Sequence, residues 1–489
     1  MTPLSRLLER NITKTGNVSL PASTAIIDKM DSIVDGMERF AHRSWEDAAR
    51  RSGVLSIDND DVEFGRLSPT SRYRNAPEID LSMPVPCEVD MARMYLLEGR
   101  TTTTDGDSLT ADDRCSDESP PPLVKSSSAP DDVCSLRDVI TRDILVEYAK
   151  VFHDDEFDLA THPIVLRNLW PAESFHDFAD VVDVKSGSGN NDDRDRFRRR
   201  GHRRLTPNAI LNDPQLSNLT LPSYFSDAAN KTGYAALVPD AADGAPTTLS
   251  QFLRKILSGD SPNAKIGTQV IIDEHPELRD EIMPPSLAKE LFGWNTYLED
   301  AKLWLKYRLS AGGIGTWMGK LVPPMTTFPV FIAGNRHRSA GIDETRHPRT
   351  DLHAEPIGNI ASQLHGTRRW TLVPTMWSGL LRPTISRHRG YFYSNMDPLI
   401  ELRQRLNRIP LVYECVTRRG DSVWIPPWMW HRVDYDDDGD GEISASEDRL
   451  SIGASIFHFY PTLYITNFPL FSFLIVPNLI REILGFNVE

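Results

Sequence analysis

Residues 350–374, TDLHAEPIGNIASQLHGTRRWTLVP, decide how this chain is read, because they set a His-x-Glu pair beside two runs of strand-forming residues. His353 and Glu355 are two apart, and on a β-strand residues i and i+2 share a face, so the imidazole and the carboxylate point into one interior. Two histidines and one carboxylate on one face of an octahedron are the set that holds iron(II) in oxygenases, with three positions left open. The second histidine is offered by His431, at the end of GDSVWIPPWMWH, where a Gly-Asp turn launches an apolar run. Taken alone, a histidine and an acid two apart also mark a solvated strand face or a self-satisfied pair. The surroundings narrow the choice. GNIASQLHGTRRWTLVP and YECVTRRGDSVWIPPWMWH read as two strand pairs turning at His-Gly and Arg-Gly-Asp, which brings strand ends to one rim of a barrel.

That order of motifs resembles the JmjC or cupin-like 2-oxoglutarate oxygenases, the family of protein hydroxylases and histone demethylases. The resemblance rests on T-x-L-H-x-E at 350–355, Asn359 four residues later, QLHGTRRWTLVP at 363–374 and GDSVWIPPWMWH at 420–431, and extends more weakly over 163–460. It implies a mainly β chain: a double-stranded β-helix (jelly roll, cupin-type) with helical decoration and N-terminal helices. It further implies that His353, Glu355 and His431 bind Fe(II), and that Thr350, Asn359 and Arg368 serve the 2-oxoglutarate site. Arg368 falls where related hydroxylases place a lysine that holds the far carboxylate of 2-oxoglutarate, and Thr350 on a hydroxyl that assists it. Arginine for lysine keeps the charge but changes reach and geometry, and Glu355 stands where aspartate is more common. The activity implied is iron(II)- and 2-oxoglutarate-dependent dioxygenation. Hydroxylation of a protein side chain is the first expectation, since no chromatin-reading or zinc module is visible. Demethylation of a methylated side chain and a non-catalytic, calcium-responsive cupin-type scaffold are the alternatives.

The chain has 489 residues, enough for one large domain with appendages or several smaller ones, and 40% hydrophobic residues suffice for a core. A formal charge of −15 argues against a nucleic-acid surface over the whole chain. Four cysteines without a CxxC pair predict neither a disulfide scaffold nor a zinc module, so an intracellular, cytoplasmic or nuclear setting fits. The N-terminus lacks the apolar core of a secretory signal, while its Arg, Ser and Thr content leaves organellar targeting open.

Four units are expected: an N-terminal helical region over 1–98, a disordered linker over 99–134, the catalytic domain over 135–460, and an apolar tail over 461–489. Within the first, Ile26, Met30, Ile33, Met37, Phe40 and Ala48 recur at helical spacing. The linker, rich in Thr, Asp, Ser and Pro, has too little apolar surface to offset its ordering entropy. From Ser135, Leu136, Ile140, Ile144, Tyr148 and Val151 form one helical stripe, and THPIVLRNLWP at 161–171 reads as the first strand of the catalytic region. The arginines from Arg194 to Arg204 read as a solvated, acid-flanked insertion, with a nuclear-import or phosphate-binding patch as the alternative. Residues 249–257 read as a helix, and 268–273 and 301–309 as strands. A long insertion over 310–349, containing TFPVFIAG, is placed to carry specificity.

After His431 the chain departs from the resemblance. In DYDDDGDGEISASEDRL, Asp436, Asp438, Asp440, Gly441, Ile443 and Glu447 take positions one, three, five, six, eight and twelve of a calcium loop, with Glu442 supplying a backbone carbonyl. Strand-like flanks make this a Ca²⁺ loop within a hairpin, or an acidic surface turn. The run 459–480 has no charged residue, but its prolines and asparagines favour a buried or dimer-forming tail over a membrane span, its first part completing a barrel strand. Related hydroxylases dimerise through C-terminal helices, so a homodimer is expected.

Overall fold

A computed structural model describes residues 72–98, 133–152, 156–170, 205–230, 242–292, 326–334, 336–337, 348–386, 390–396, 401–407, 409–437 and 450–484. The expected helix over 22–52, the linker over 99–132, the arginine-rich loop and the expected strand over 301–309 lie outside them.

Fifteen strands build the barrel: β1 Arg72–Asn75, β2 Glu78–Asp80, β3 Ile164–Arg167, β4 Lys265–Thr268, β5 Thr326–Thr327, β6 Val330–Gly334, β7 Arg349–Ala354, β8 Gly358–His365, β9 Arg368–Val373, β10 Pro383–Ile385, β11 Phe392–Ser394, β12 Leu411–Thr417, β13 Ser422–Ile425, β14 Trp430–Asp434 and β15 Leu450–His458. They form two facing sheets, one in the order β1-β12-β9-β14-β7-β11-β10 and the other β2-β3-β13-β8-β15-β6-β4, with β5 on the end of β15. This is a double-stranded β-helix with helical decoration. From β6 to β9 and again from β12 to β15 consecutive strands alternate between the sheets, so the chain returns to each wall and closes an interior.

Side-chain alternation assigns the faces. Ala361, Val423, Ile425, Trp370, Leu372 and Val433 meet in a core between the sheets, while Ile360, Leu364, Trp424, Ile452 and Ile456 face outward under a helical layer. β8 is covered on both sides and buried along its whole length, with polar Asn359, Ser362, Gln363 and His365 included. The outer face of the other sheet, with Leu352, Ala354 and Trp430, is covered by Phe471, Leu474 and Ile475 of the C-terminal helix. The β8–β9 turn needs glycine: Gly366 has φ +66°, and a Cβ there would come 2.3 Å from the Leu450 carbonyl oxygen.

Several expectations are corrected. The stripe from Ser135 forms two helices, Leu136–Val139 and Arg142–Phe152, because Ile140 is extended and the Thr141 hydroxyl accepts the Ile144 amide at the new start. In 268–273 the strand ends at Thr268, whose hydroxyl accepts the Val270 amide, and Val270–Glu274 is helical. A short run of buried β-branched residues does not by itself separate helix from strand. The 310–349 insertion holds a barrel strand, since TFPVFIAG supplies β6, paired with both β15 and β4. The tail completes no strand: β15 ends at His458, and prolines open the helices Pro461–Asn467 and Pro469–Leu484. The N-terminal region contributes strands to both sheets, β1 parallel to β12 and β2 parallel to β3.

A further correction concerns cysteine. Cys87 and Cys134 form a disulfide with Cα atoms 4.9 Å apart, where the paired strands Pro84–Pro86 and Val133–Ser135 bring the two ends of the linker together. The cysteine argument for a reducing compartment falls with it. The helix Leu249–Ser258 stands as expected, with a Thr248–Gln251 capping box. Among the described residues, no helix is long and apolar enough to cross a membrane.

Candidate metal and co-substrate site

His353 and His431 are register partners across the antiparallel β7–β14 pair, so their side chains leave the sheet on the same face as neighbours. Their ring centroids are 4.1 Å apart. Glu355 follows β7 directly, its carbonyl accepting the Trp428 amide at 2.7 Å, and its Oε1 lies 4.0 Å from His353 Nε2. One ligand atom from each of the three lies within 4.8 Å of the others.

Backbone carbonyls fix which nitrogen each ring presents. His353 Nδ1 lies 2.7 Å from the Asp351 carbonyl oxygen and His431 Nδ1 3.1 Å from that of Met429. A carbonyl only accepts, so each Nδ1 carries the proton and each Nε2 turns a lone pair inward. Burial holds both rings neutral: His431 is pushed down to about 4, and His353 well below the usual histidine value by burial and by its neighbour His431. Two neutral imidazoles and a carboxylate, oriented from behind, suit a divalent transition metal.

A β-bulge places the next residue. Between Thr350, opposite Val433, and His353, opposite His431, β7 contains one residue more than β14. Three residues apart on a regular strand, Thr350 and His353 would face opposite ways; the bulge turns both into the cavity. The Thr350 hydroxyl accepts the Val433 amide at 3.1 Å, and its proton remains available to an acceptor.

Arg368 enters from β9 and is 2% exposed. Its Nε donates to Ser451 Oγ at 3.3 Å and its Nη2 to the Phe331 carbonyl at 2.9 Å. Among the described residues no carboxylate pairs with it, and burial lowers its pKa with only Tyr435 opposing. A buried guanidinium in that state has the electrostatic character of an anion site. Asn359 completes the set, buried, with Oδ1 lacking a hydrogen-bond partner among the described residues.

All six expected residues line one cavity of about 270 Å³, together with residues that motif reading did not single out, notably Lys265, Tyr391 and Tyr435. Lys265 is buried, donates to the Arg349 carbonyl at 2.9 Å, and has its pKa pushed down to about 7 by burial. No motif marks it: it comes from β4, at the far edge of the other sheet, and only barrel closure brings it here. The calcium expectation is reached only at its start. Asp436–Asp437 pairs in parallel with Arg336–His337, while Asp438, Asp440, Glu442 and Glu447 lie outside the described residues.

Fold and site together define a double-stranded β-helix protein with a two-histidine, one-carboxylate centre. The chain belongs to the cupin-like domain family, whose model matches residues 152–458, well over half of its length. No curated protein matches it.

Proposed function

We propose that this chain is an iron(II)- and 2-oxoglutarate-dependent dioxygenase that hydroxylates a protein side chain. The observation that carries the reading is the pairing, inside one cavity, of a three-donor metal set with a buried arginine that has no carboxylate among the described residues. His353, Glu355 and His431 would hold iron, and Arg368 and Thr350 the distal carboxylate of 2-oxoglutarate. When bound, the metal and 2-oxoglutarate supply the oxidising chemistry, with O₂ consumed and succinate and CO₂ released. The chain's own contribution is placement. Carbonyls of Asp351 and Met429 aim the imidazoles, and the bulge in β7 turns Thr350 toward the arginine end. Val433, Trp370 and Tyr435 contribute aliphatic and aromatic surface to the cavity wall.

A cavity of about 270 Å³ has room for a small dicarboxylate and a slender side chain, less than the ~300–1,000 Å³ usual for drug-sized ligands. That favours a side chain presented by a protein. The test is succinate release from the full chain with iron and 2-oxoglutarate across a peptide library, with mass spectrometry of the products. A +16 Da product supports hydroxylation, and formaldehyde with loss of a methyl group supports the demethylase alternative. Wild type that binds neither divalent metal nor 2-oxoglutarate sinks the reading and leaves a cupin-type scaffold. Homodimerisation through the C-terminal helix belongs to the same proposal, supported by exposed Phe473 and Val476 beside the buried Phe471, Leu474 and Ile475. Sedimentation of Phe473→Asp against wild type checks it, a monomer being expected only for the variant.

A further inference from the structure

The arginine at position 368 sits in a space that only a particular neighbour leaves open. A Cβ built on Gly453 of β15 would lie 2.5 Å from Arg368 Nη1, 2.6 Å from Cζ and 2.7 Å from Nη2. Three atoms of one guanidinium at nearly equal distance mean that its flat face lies against the glycine backbone. The aromatic rings of Tyr435 and Phe331 have their centroids 5.1 Å and 5.8 Å from Cζ. The Phe331 ring itself rests on a second glycine, since a Cβ on Gly267 would come within 2.9 Å of it. Gly453 pairs with Phe331 across β15–β6 and with Gln363 across β15–β8, so its backbone is held from both sides. The guanidinium's own contacts use Nε and Nη2, and Nη1 has no acceptor among the described residues.

We infer that Gly453 is a positioning residue: by omitting a side chain it lets the planar guanidinium of Arg368 lie flat and present Nη1 to a planar carboxylate. The inference rests on the co-substrate reading above and deepens it, because it explains how an arginine is accommodated at a position fitted to one carboxylate of a small dicarboxylate. Lysine has no plane to accommodate, so a Cβ at 453 is incompatible with arginine and compatible with lysine. Arg368 and Gly453 are therefore coupled, and each tolerates change only with the other.

The experiment is a double-variant cycle on the full chain, comparing wild type, Gly453→Ala, Arg368→Lys and the combined variant. Two readouts are independent of turnover: calorimetric binding of 2-oxoglutarate in the presence of Mn²⁺, and thermal melting without ligand. The expected result is at least a tenfold loss of 2-oxoglutarate affinity and a lower melting temperature for Gly453→Ala, with both restored toward wild type when Arg368→Lys is added. Manganese binding stays unchanged throughout. If wild type binds 2-oxoglutarate and Gly453→Ala binds it equally well, or if the two losses simply multiply in the combined variant, the inference is overturned while the co-substrate reading stands. If wild type binds no 2-oxoglutarate, both fall. Insolubility of both Gly453→Ala and the combined variant would place the need for glycine in the strand itself and would also overturn the inference.

Discussion

Half-buried Arg167 and buried Arg368 have opposite surroundings. Arg167, on β3, donates from Nε and Nη2 to the two carboxylate oxygens of Glu78, at 2.9 and 2.6 Å, and from Nη1 to Asp421 at 2.6 Å. Burial alone would lower its pKa, but the bonds and charges of Glu78 and Asp421 outweigh it and raise the value. Arg368, buried more deeply, meets a serine hydroxyl, a carbonyl and two rings, and its pKa is lowered. The first guanidinium closes a structural network. The second has no carboxylate partner among the described residues. A buried cation is therefore read as structural or functional from where its counter-charge is, not from its residue type.

The largest effects should separate the two arginines. Arg167→Met is expected to lower unfolding free energy by about 3 kcal/mol, because it strips the cation from the buried Asp421 carboxylate. Arg368→Met should leave the melting temperature unchanged or higher and weaken 2-oxoglutarate binding at least about 100-fold, ~2.7 kcal/mol. Denaturant melts and calorimetry on both variants check this; equal stability losses would break the comparison.

Next in size is the disulfide. Glu78 reaches Arg167 on β2, and the Cys87–Cys134 bond staples the segment that follows. Reduction, or Cys87→Ser with Cys134→Ser, should cost about 2–4 kcal/mol for a loop of this length. Hydrogen exchange should rise in β2 and β3 and stay unchanged in β7 and β14. Exchange rising first at His353 and His431 would contradict the separation of the two regions.

Lys265 is a buried basic group on the cavity wall, and it sharpens the comparison through pH. Its pKa falls from 10.5 in the unfolded chain to about 7 in the fold. Between those values the unfolded chain holds the proton and the folded chain does not, so stability decreases as pH drops from 10.5 toward 7 and levels off below. Lys265→Met loses the hydrogen bond to the Arg349 carbonyl but also the cost of burying the amine, so its net effect at pH 8 should stay within about 1 kcal/mol. The variant should flatten the pH dependence between 7 and 10, measured by urea unfolding across that range. An unchanged slope would assign the dependence to other groups.

The smallest expected effect is calcium. Asp436 follows Tyr435, whose ring packs over Arg368, so ordering the acidic loop would steady the wall of the anion site. Ca²⁺ should give a calorimetric signal in wild type that is lost in Asp438→Ala with Asp440→Ala, and should change 2-oxoglutarate affinity by no more than about tenfold, ~1.4 kcal/mol. Identical traces for the two proteins would leave the run as a surface turn.

The sequence by itself determined the motif order whose resemblance implies the jelly roll and the three donors, together with the two-residue spacing of His353 and Glu355 and the His-Gly and Gly-Asp turns. These are local properties, and local properties survive in a linear string; the strands on either side of each turn, expected to pair, instead enter opposite sheets. The register that sets His353 against His431 was not local: the two residues are 78 apart in sequence, and neither turn joins their strands. Tertiary structure alone decided the rest, because it depends on which distant strands meet. The bulge that turns Thr350 inward exists only against β14, and Lys265 reaches the cavity from the edge of the other sheet. TFPVFIAG became a strand rather than part of a loop because β15 and β4 flank it. Cys87 met Cys134 because two three-residue strands paired across the linker. Whether Arg368 or Arg167 would find a carboxylate was likewise absent from the string, since Glu78 and Asp421 lie 89 and 254 residues from Arg167 in sequence and within hydrogen-bond reach of it in space.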